Sequence, residues 1–175
     1  MFPLKSLIFF IFLSSSLLSF TKMESFSADF RQIIDSGDSQ IVYSGRIEAK
    51  RPNRVVWHYK EPVEKSLYID GDRVYVIDHD LEQVIIKMLN SEVLFFSILE
   101  NSKKIDEKRY STSIGEQNYL LIVDKNSKNS LKKIIYVDQL DNSIEINFFD
   151  SVIDKELNNS LFEPKIPNSY DKIYQ

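Results

Sequence analysis

The sequence predicts a mainly β protein, built as one large antiparallel sheet with one or two short helices. Three observations carry that prediction. Long stretches alternate apolar and polar side chains with a period of two. Turn-forming residues punctuate those stretches at short intervals. Hydrophobic content is 43% and aromatic content 13%, so the 175 residues can bury one sizeable core.

Taken in order, residues 1–21 are expected to be an address. Lys5 precedes the apolar run from Ser6 to Phe20, and small residues follow, the layout of a secretory signal peptide. Cleavage would follow Ser16, Ser19 or Thr21, and a retained anchor is the alternative. Losing Lys5 would take the charge of −4 to about −5. Residues 22–175 are then expected to form a single domain.

From Met23 to Ile34 the sequence fits two patterns. Met23, Phe26, Phe30 and Ile33 have helical spacing, whereas Phe26, Ala28, Phe30, Gln32 and Ile34 alternate as a strand would. From Ile41 to Lys50, Ile41, Tyr43, Ile47 and Ala49 fall on one face, with Ser44, Arg46, Glu48 and Lys50 on the other. Pro52 cannot donate to a ladder and breaks the run. From Arg54 to Lys60, Val55, Trp57 and Tyr59 point one way, and Arg54, His58 and Lys60 the other. Pro62 ends that strand. Asp70-Gly71 between two β-rich runs signals a hairpin over Leu67 to Ile77.

Ser91 to Leu99 breaks the alternation. Leu94, Phe95, Ile98 and Leu99 have helical spacing, Ser91 is a plausible N-cap and Glu92 follows it, so a short, very apolar helix is expected. Four more strands are predicted at about Arg109–Ile114, Tyr119–Asp124, Leu131–Asp138 and Ser143–Phe149, with polar connectors at Asp124–Asn129 and Asp138–Asn142. The apolar face of this sheet carries Phe26, Phe30, Tyr43, Trp57, Tyr59, Phe148 and Phe149. Such a face must be covered by a second layer, by closure, or by curling around something else. By itself this allows an apolar-ligand carrier or a structural or interaction domain in equal measure, with an enzyme behind both.

Composition excludes much chemistry. The four glycines are Gly37, Gly45, Gly71 and Gly115, too far apart for G-x-G-x-x-G or a phosphate loop. No cysteine is present, which rules out disulfides, zinc ribbons, iron–sulfur clusters and thiol nucleophiles. His58 is read as a surface residue of the polar face. Asp78, His79 and Asp80 are read as turn chemistry in preference to a metal site. No cofactor is expected. The mildly acidic total argues against nucleic acid as a partner. No nucleophile or acid–base constellation is visible, so no enzyme activity is expected.

An ordered set of short motifs adds to this. FSADFRQ (Phe26 to Gln32) is followed by KRPNRVVWHY (Lys50 to Tyr59), Pro62, the IDG turn (Ile69 to Gly71), VYVID (Val74 to Asp78) and Leu81-Glu82-Gln83. An F-x-P-x-x-P pattern (Phe162 to Pro167) closes the set. In this order the chain resembles the LolA family of periplasmic lipoprotein carriers over about residues 25 to 166. The resemblance implies an unclosed half-barrel capped by short lid helices, with an apolar interior that holds lipoprotein acyl chains. It implies a strand for Phe26 to Ile34. It implies acylated lipoproteins as cargo, an inner-membrane ABC-type lipoprotein-release transporter as donor and an outer-membrane acceptor such as LolB. The protein would be a periplasmic monomer. A lipid-sensing or interaction domain on the same half-barrel is the alternative, but a sensor would carry a second domain or a tether, and the carrier is expected.

That role sets a physical requirement. An acyl chain of ~15 methylenes costs roughly 12 kcal/mol to move from a membrane into water. The carrier must offer comparable apolar surface and still release it. An interior lined by Phe30, Tyr43, Ile47, Val55, Trp57, Tyr59, Leu67, Ile69, Val74 and Val76 fits, with Leu94, Phe95, Ile98 and Leu99 as a movable cover. Arg51 occupies the Arg of the family's K-R-P motif, and the resemblance implies that it bonds lid-helix carbonyls and locks the empty cavity. Only Lys22 to Ser25 separate the apolar run from Phe26, so the family's N-terminal helix is expected to be missing or drawn from that run.

Overall fold

The computed structural model describes residues 22–88, 95–124 and 130–175. The expected signal peptide, Ser91, Glu92 and Leu94 of the expected helix, and most of the 124–129 connector lie outside the described residues. The strands are β1 (Ser25–Asp35), β2 (Gln40–Lys50), β3 (Arg54–Glu61), β4 (Lys65–Asp70), β5 (Arg73–Asp78) and β6 (Gln83–Met88). A short helix, α1 (Phe95–Glu100), follows. The second half holds β7 (Lys103–Lys104), β8 (Arg109–Ile114), β9 (Gln117–Asp124), β10 (Ser130–Val137), β11 (Ser143–Ile153), a 3-10 turn at Asn159–Phe162, and β12 (Asp171–Tyr174).

All twelve strands lie in one sheet, ordered β12-β6-β5-β4-β3-β2-β1-β11-β10-β9-β8-β7, with free edges at β12 and β7. Every described pairing is antiparallel except one: β12 runs parallel to β6, which corrects the all-antiparallel expectation. A parallel neighbour needs a long return path, and the segment from Asp154 to Tyr170 supplies it. Phe26 to Ile34 is strand, as the resemblance implied, because it sits between two long partners, β2 and β11. Isolated spacing could not decide between helix and strand; two ladders of backbone hydrogen bonds do.

The β4–β5 hairpin turns on Gly71 and Asp72, with Asp70 paired to Arg73 and Gly71 at a φ of 63°. That left-handed conformation favours glycine.

One face of the sheet carries a continuous core that includes Phe26, Phe30, Ile47, Val55, Val74, Tyr110, Tyr119, Leu121, Ile134, Ile146 and Phe148. Phe26 meets Phe148 edge-on at 5.4 Å, and Phe30 meets Trp57 at 5.0 Å and Tyr59 at 5.1 Å. Such contacts contribute about 0.5–1.5 kcal/mol each beyond their burial. Phe149 belongs to the opposite face and is 49% exposed, against 1% for Phe148. Adjacent strand residues point to opposite faces, so both could not line the same side.

The opposite face is not simply polar. Val56, Tyr68, Ile77 and Val84 form a second cluster there, covered by Leu157 and Phe162 from the return segment. Lys50 ties that segment down by donating to the Leu157 carbonyl at 2.8 Å and Asn159 Oδ1 at 2.9 Å. His58 lies on this face as expected, but it is half-buried. Its Nδ1 lies 3.1 Å from Ser66 Oγ, and its ring meets Tyr68 edge-on. His79 contacts Ser66 Oγ and, at 3.1 Å, the hydroxyl of Tyr170. Among the described residues no cluster suits a metal ion.

Burial lowers the His58 pKa; Glu48 opposes that shift, and His79, Lys165 and Lys60 add to it. A histidine with a depressed folded pKa contributes stability that is complete above its unfolded pKa, about 6.5, and is lost as pH falls through the lower folded value. The melting temperature is therefore expected to drop as pH falls through and below the unfolded pKa of about 6.5, and His58→Gln to flatten that drop. Asp78 and Glu145, whose pKa values are lowered by hydrogen bonds from Lys65 and Lys133, act below that window. A drop of the same size in His58→Gln would show that the histidine does not control it.

Candidate functional site

The apolar face curls around a cavity without closing. Leu67 and Ile69 of β4 line the same cavity as Ile134 and Tyr136 of β10. Those strands stand five positions apart in the sheet, about 24 Å across if it were flat. Only a strongly curled sheet brings them to one space. Twist and bulges supply the curl: the ladders slip between Ser27 and Asp29, between Ser44 and Gly45, and between Leu131 and Lys133.

The helix α1 lies inside that curl. A six-residue helix is marginal alone, and this one is held by packing, with Phe95, Phe96, Ile98 and Leu99 all buried. It is apolar nearly all round because the sheet faces it on several sides. Ser102 closes its end by donating from N and Oγ to the Leu99 carbonyl. The resemblance implied several lid helices; among the described residues α1 is the one helix of this kind.

Between α1 and the sheet is a cavity of about 270 Å³. Trp57, Tyr59, Leu67 and Ile69 line it, beneath Phe95 and Ile98. Phe30, Ile47, Val55, Val74 and Val76 belong to the surrounding core, where they support the wall, and Leu99 is fully buried. Tyr43 stands behind the wall, edge-on to Tyr59 at 5.8 Å. The far wall was not assigned from sequence: Gln32, Tyr119, Ile134, Tyr136 and Ile146. These segments alternate, but nothing local indicates that β11, with β10 beyond it, lies next to β1.

Larger depressions exist, of about 410 Å³ beside β6 and β12 and about 650 Å³ along β8 to β10. They are open, and exposed polar side chains make up much of their linings. The site is assigned to the smaller cavity because apolar groups from both halves of the sheet and from α1 converge on it. None of its lining residues is charged. Burial raises the Tyr59 phenol strongly, aided by Tyr136 and Tyr43, and pushes Tyr136 up to about 12. The walls are therefore neutral at any ordinary pH.

Arg51 stands at the end of the curl where α1 is seated. Its Nε donates to the Met23 carbonyl at 2.7 Å, and its guanidinium pairs with Glu100, the last residue of α1. The guanidinium also lies over the Phe96 ring, 4.7 Å from its centroid. Its backbone N–H donates to the Glu24 carbonyl at 2.9 Å. One side chain thus joins the β2–β3 turn, the entry to β1 and α1. The contacts to α1 described here are a carboxylate and an aromatic face, where the resemblance implied helix carbonyls.

The chain is similar to proteins of known family. The sequence profile of the family described as "Outer membrane lipoprotein carrier protein LolA" matches residues 21–165. A Wolinella succinogenes protein named outer-membrane lipoprotein carrier protein is 32% identical over 158 residues, covering 90% of this chain and 91% of the relative. A Campylobacter jejuni protein of the same name is 30% identical over 165 residues, covering 94% and 95%. Among solved structures, an uncharacterized conserved protein from Thermus thermophilus superposes with a TM-score of 0.57 at 10% identity, covering 90% of this chain and 94% of that one. A LolA superfamily protein from Nitrosomonas europaea gives 0.50 at 13% identity, covering 82% and 91%. At these identities the structural likenesses establish the fold alone.

Proposed function

Because this chain belongs to the LolA family of outer-membrane lipoprotein carrier proteins, we propose that it is a periplasmic carrier that shelters lipoprotein acyl chains beneath α1. The observation that carries the reading is the uncharged cavity enclosed by the curled sheet and roofed by Phe95 and Ile98. At about 270 Å³ it falls short of the 300–1,000 Å³ typical of sites for drug-sized ligands. A chain of ~15 methylenes needs more room, so loading requires α1 to swing outward.

On this reading the protein works by binding and not by catalysis. It receives its cargo from an inner-membrane ABC-type transporter and passes it to the outer membrane, through an acceptor such as LolB where one exists. It acts as a monomer, and residues 1–21 export it. Arg51 is the latch that holds α1 down when the cavity is empty.

Native mass spectrometry of the protein recovered from periplasm tests the proposal. Bound lipoprotein, and uptake of lipoprotein from inner-membrane vesicles by protein stripped of cargo, are the expected results. A protein that is recovered empty and takes up nothing from such vesicles is not a carrier.

A further inference from the structure

The cavity wall is apolar but not featureless. At the end away from Arg51 it carries Gln32, Tyr59, Tyr119 and Tyr136. The register places Gln32 seven residues along β1 from Ser25, which pairs with Lys50 beside Arg51. Tyr136 pairs with Tyr119 on one side and with Ile144 on the other, and Ile144 in turn pairs with Ile34 of β1. The four polar groups therefore occupy the half of the cavity opposite the seat of the latch.

Tyr59 donates its hydroxyl to Gln32 Oε1 at 3.1 Å. That bond leaves the Gln32 amide N–H donors facing the same space. The rings of Tyr119 and Tyr136 pack 5.2 Å apart. Among the described residues, their hydroxyls and the Gln32 amide nitrogen take part in no hydrogen bond. Solvent reaches these donors in the empty protein, but an acyl chain that fills the cavity displaces that water, and donors then left without a partner are costly. A pure hydrocarbon would leave them unpaired. A carboxylate or phosphate would lose its hydration without meeting a cation, since no lining residue is charged. A neutral carbonyl fits both conditions: it accepts from a phenol or an amide and brings no charge.

We infer that Gln32, Tyr119 and Tyr136 form a carbonyl-recognition rim, which holds the ester and amide carbonyls at the heads of acyl chains and so fixes how far the chains enter. The inference rests on the carrier reading and deepens it. The tails fill the space under α1, and the rim reads the linkage. Acyl esters occur both in the diacylglyceryl group of a lipoprotein and in membrane phospholipids, so the two sources share this chemistry.

Displacement of bound 1-N-phenylnaphthylamine from the purified protein tests the rim. The competitors are a dipalmitoylglyceryl-cysteinyl peptide, its dihexadecyl ether analogue, dipalmitoyl phosphatidylglycerol and free palmitate. The ester peptide is expected to bind about tenfold more tightly than the ether analogue, the worth of one or two hydrogen bonds. Tyr119→Phe with Tyr136→Phe keeps both rings, and it should cut that preference to less than about twofold by weakening the ester alone. Gln32→Leu should act in the same direction. Tighter binding of the peptide than of the phospholipid would assign the rim to lipoprotein, and equal binding would show that it reads the ester whatever the headgroup. Equal affinity for ester and ether in the unaltered protein overturns the inference and leaves the carrier reading standing. So does palmitate binding as tightly as the ester peptide, or a parallel loss of both analogues in the variants. If no competitor displaces the probe, the carrier reading falls with it.

Discussion

Arg51→Leu is expected to leave the fold intact and to slow cargo release about fivefold. The arginine contributes a charged hydrogen bond to the Met23 carbonyl, a partly exposed ion pair with Glu100 and a cation–π contact with Phe96. Charged hydrogen bonds contribute about 1.5–3 kcal/mol, and exposed ion pairs and cation–π contacts up to about 1 each. Of these three, the ion pair and the cation–π contact touch α1; they share one guanidinium and do not add, so about 1 kcal/mol favours the seated helix. Leucine can make none of these contacts. With nothing to draw α1 back, the loaded state gains relative to the empty one, and about 1 kcal/mol corresponds to about fivefold in the release equilibrium. Glu100→Gln removes the ion pair and leaves the other two contacts, so its effect should be smaller and in the same direction. Transfer of lipoprotein from the preloaded carrier to acceptor membranes is the measurement. Release by Arg51→Leu at the rate of the unaltered protein would show that Arg51 is not a latch.

Gly45→Ala should be among the most destabilising single substitutions in the chain, costing about 3 kcal/mol or more. A Cβ at this position would stand 1.9 Å from the His58 carbonyl oxygen and 2.9 Å from the Phe30 ring. The first obstacle is backbone, which cannot rotate away as a side chain would. The ladder between β2 and β3 slips at this point, pairing Ser44 with Glu61 and Gly45 with Tyr59. The absence of a side chain lets β3 lean in and lets Phe30 reach across to Trp57 and Tyr59. Alanine would push these groups apart at the wall of the cavity. Urea denaturation should show a lower midpoint, and ligand displacement a weakened site even where the variant still folds. A midpoint within experimental scatter of the unaltered protein would mean that the two strands can separate here at little cost.

Much of the sheet was legible locally. The alternation in Ile41 to Lys50 and in Arg54 to Lys60 located β2 and β3 to within a residue or two, because a half-buried strand must alternate. The Asp70-Gly71 signal found the β4–β5 hairpin. Phe149 was placed inside beside Phe148, although period two forbids two neighbours on one face. Val56 and Tyr68 escaped notice because their cover, Leu157 and Phe162, lies about 90 to 105 residues away in the chain. The strand β12 was missed for a similar reason: its four residues are exposed, and it exists through its pairing with β6.

The amino-acid sequence by itself determined most of the strands, the apolar helix in their midst, the absence of cysteine and of glycine-rich phosphate-loop motifs, and the ordered motifs that mark the family. These follow from local rules of period, turn chemistry and residue inventory. The tertiary structure decided which faces meet. Pairing β1 with β11 sets Phe30 against Phe148, and the curl carries Tyr119 and Tyr136 round to the wall opposite Trp57. It also decided that Arg51 answers to Glu100 and Phe96. A cavity is the space between distant segments, and its shape depends on their register and curvature, which no single stretch of sequence encodes.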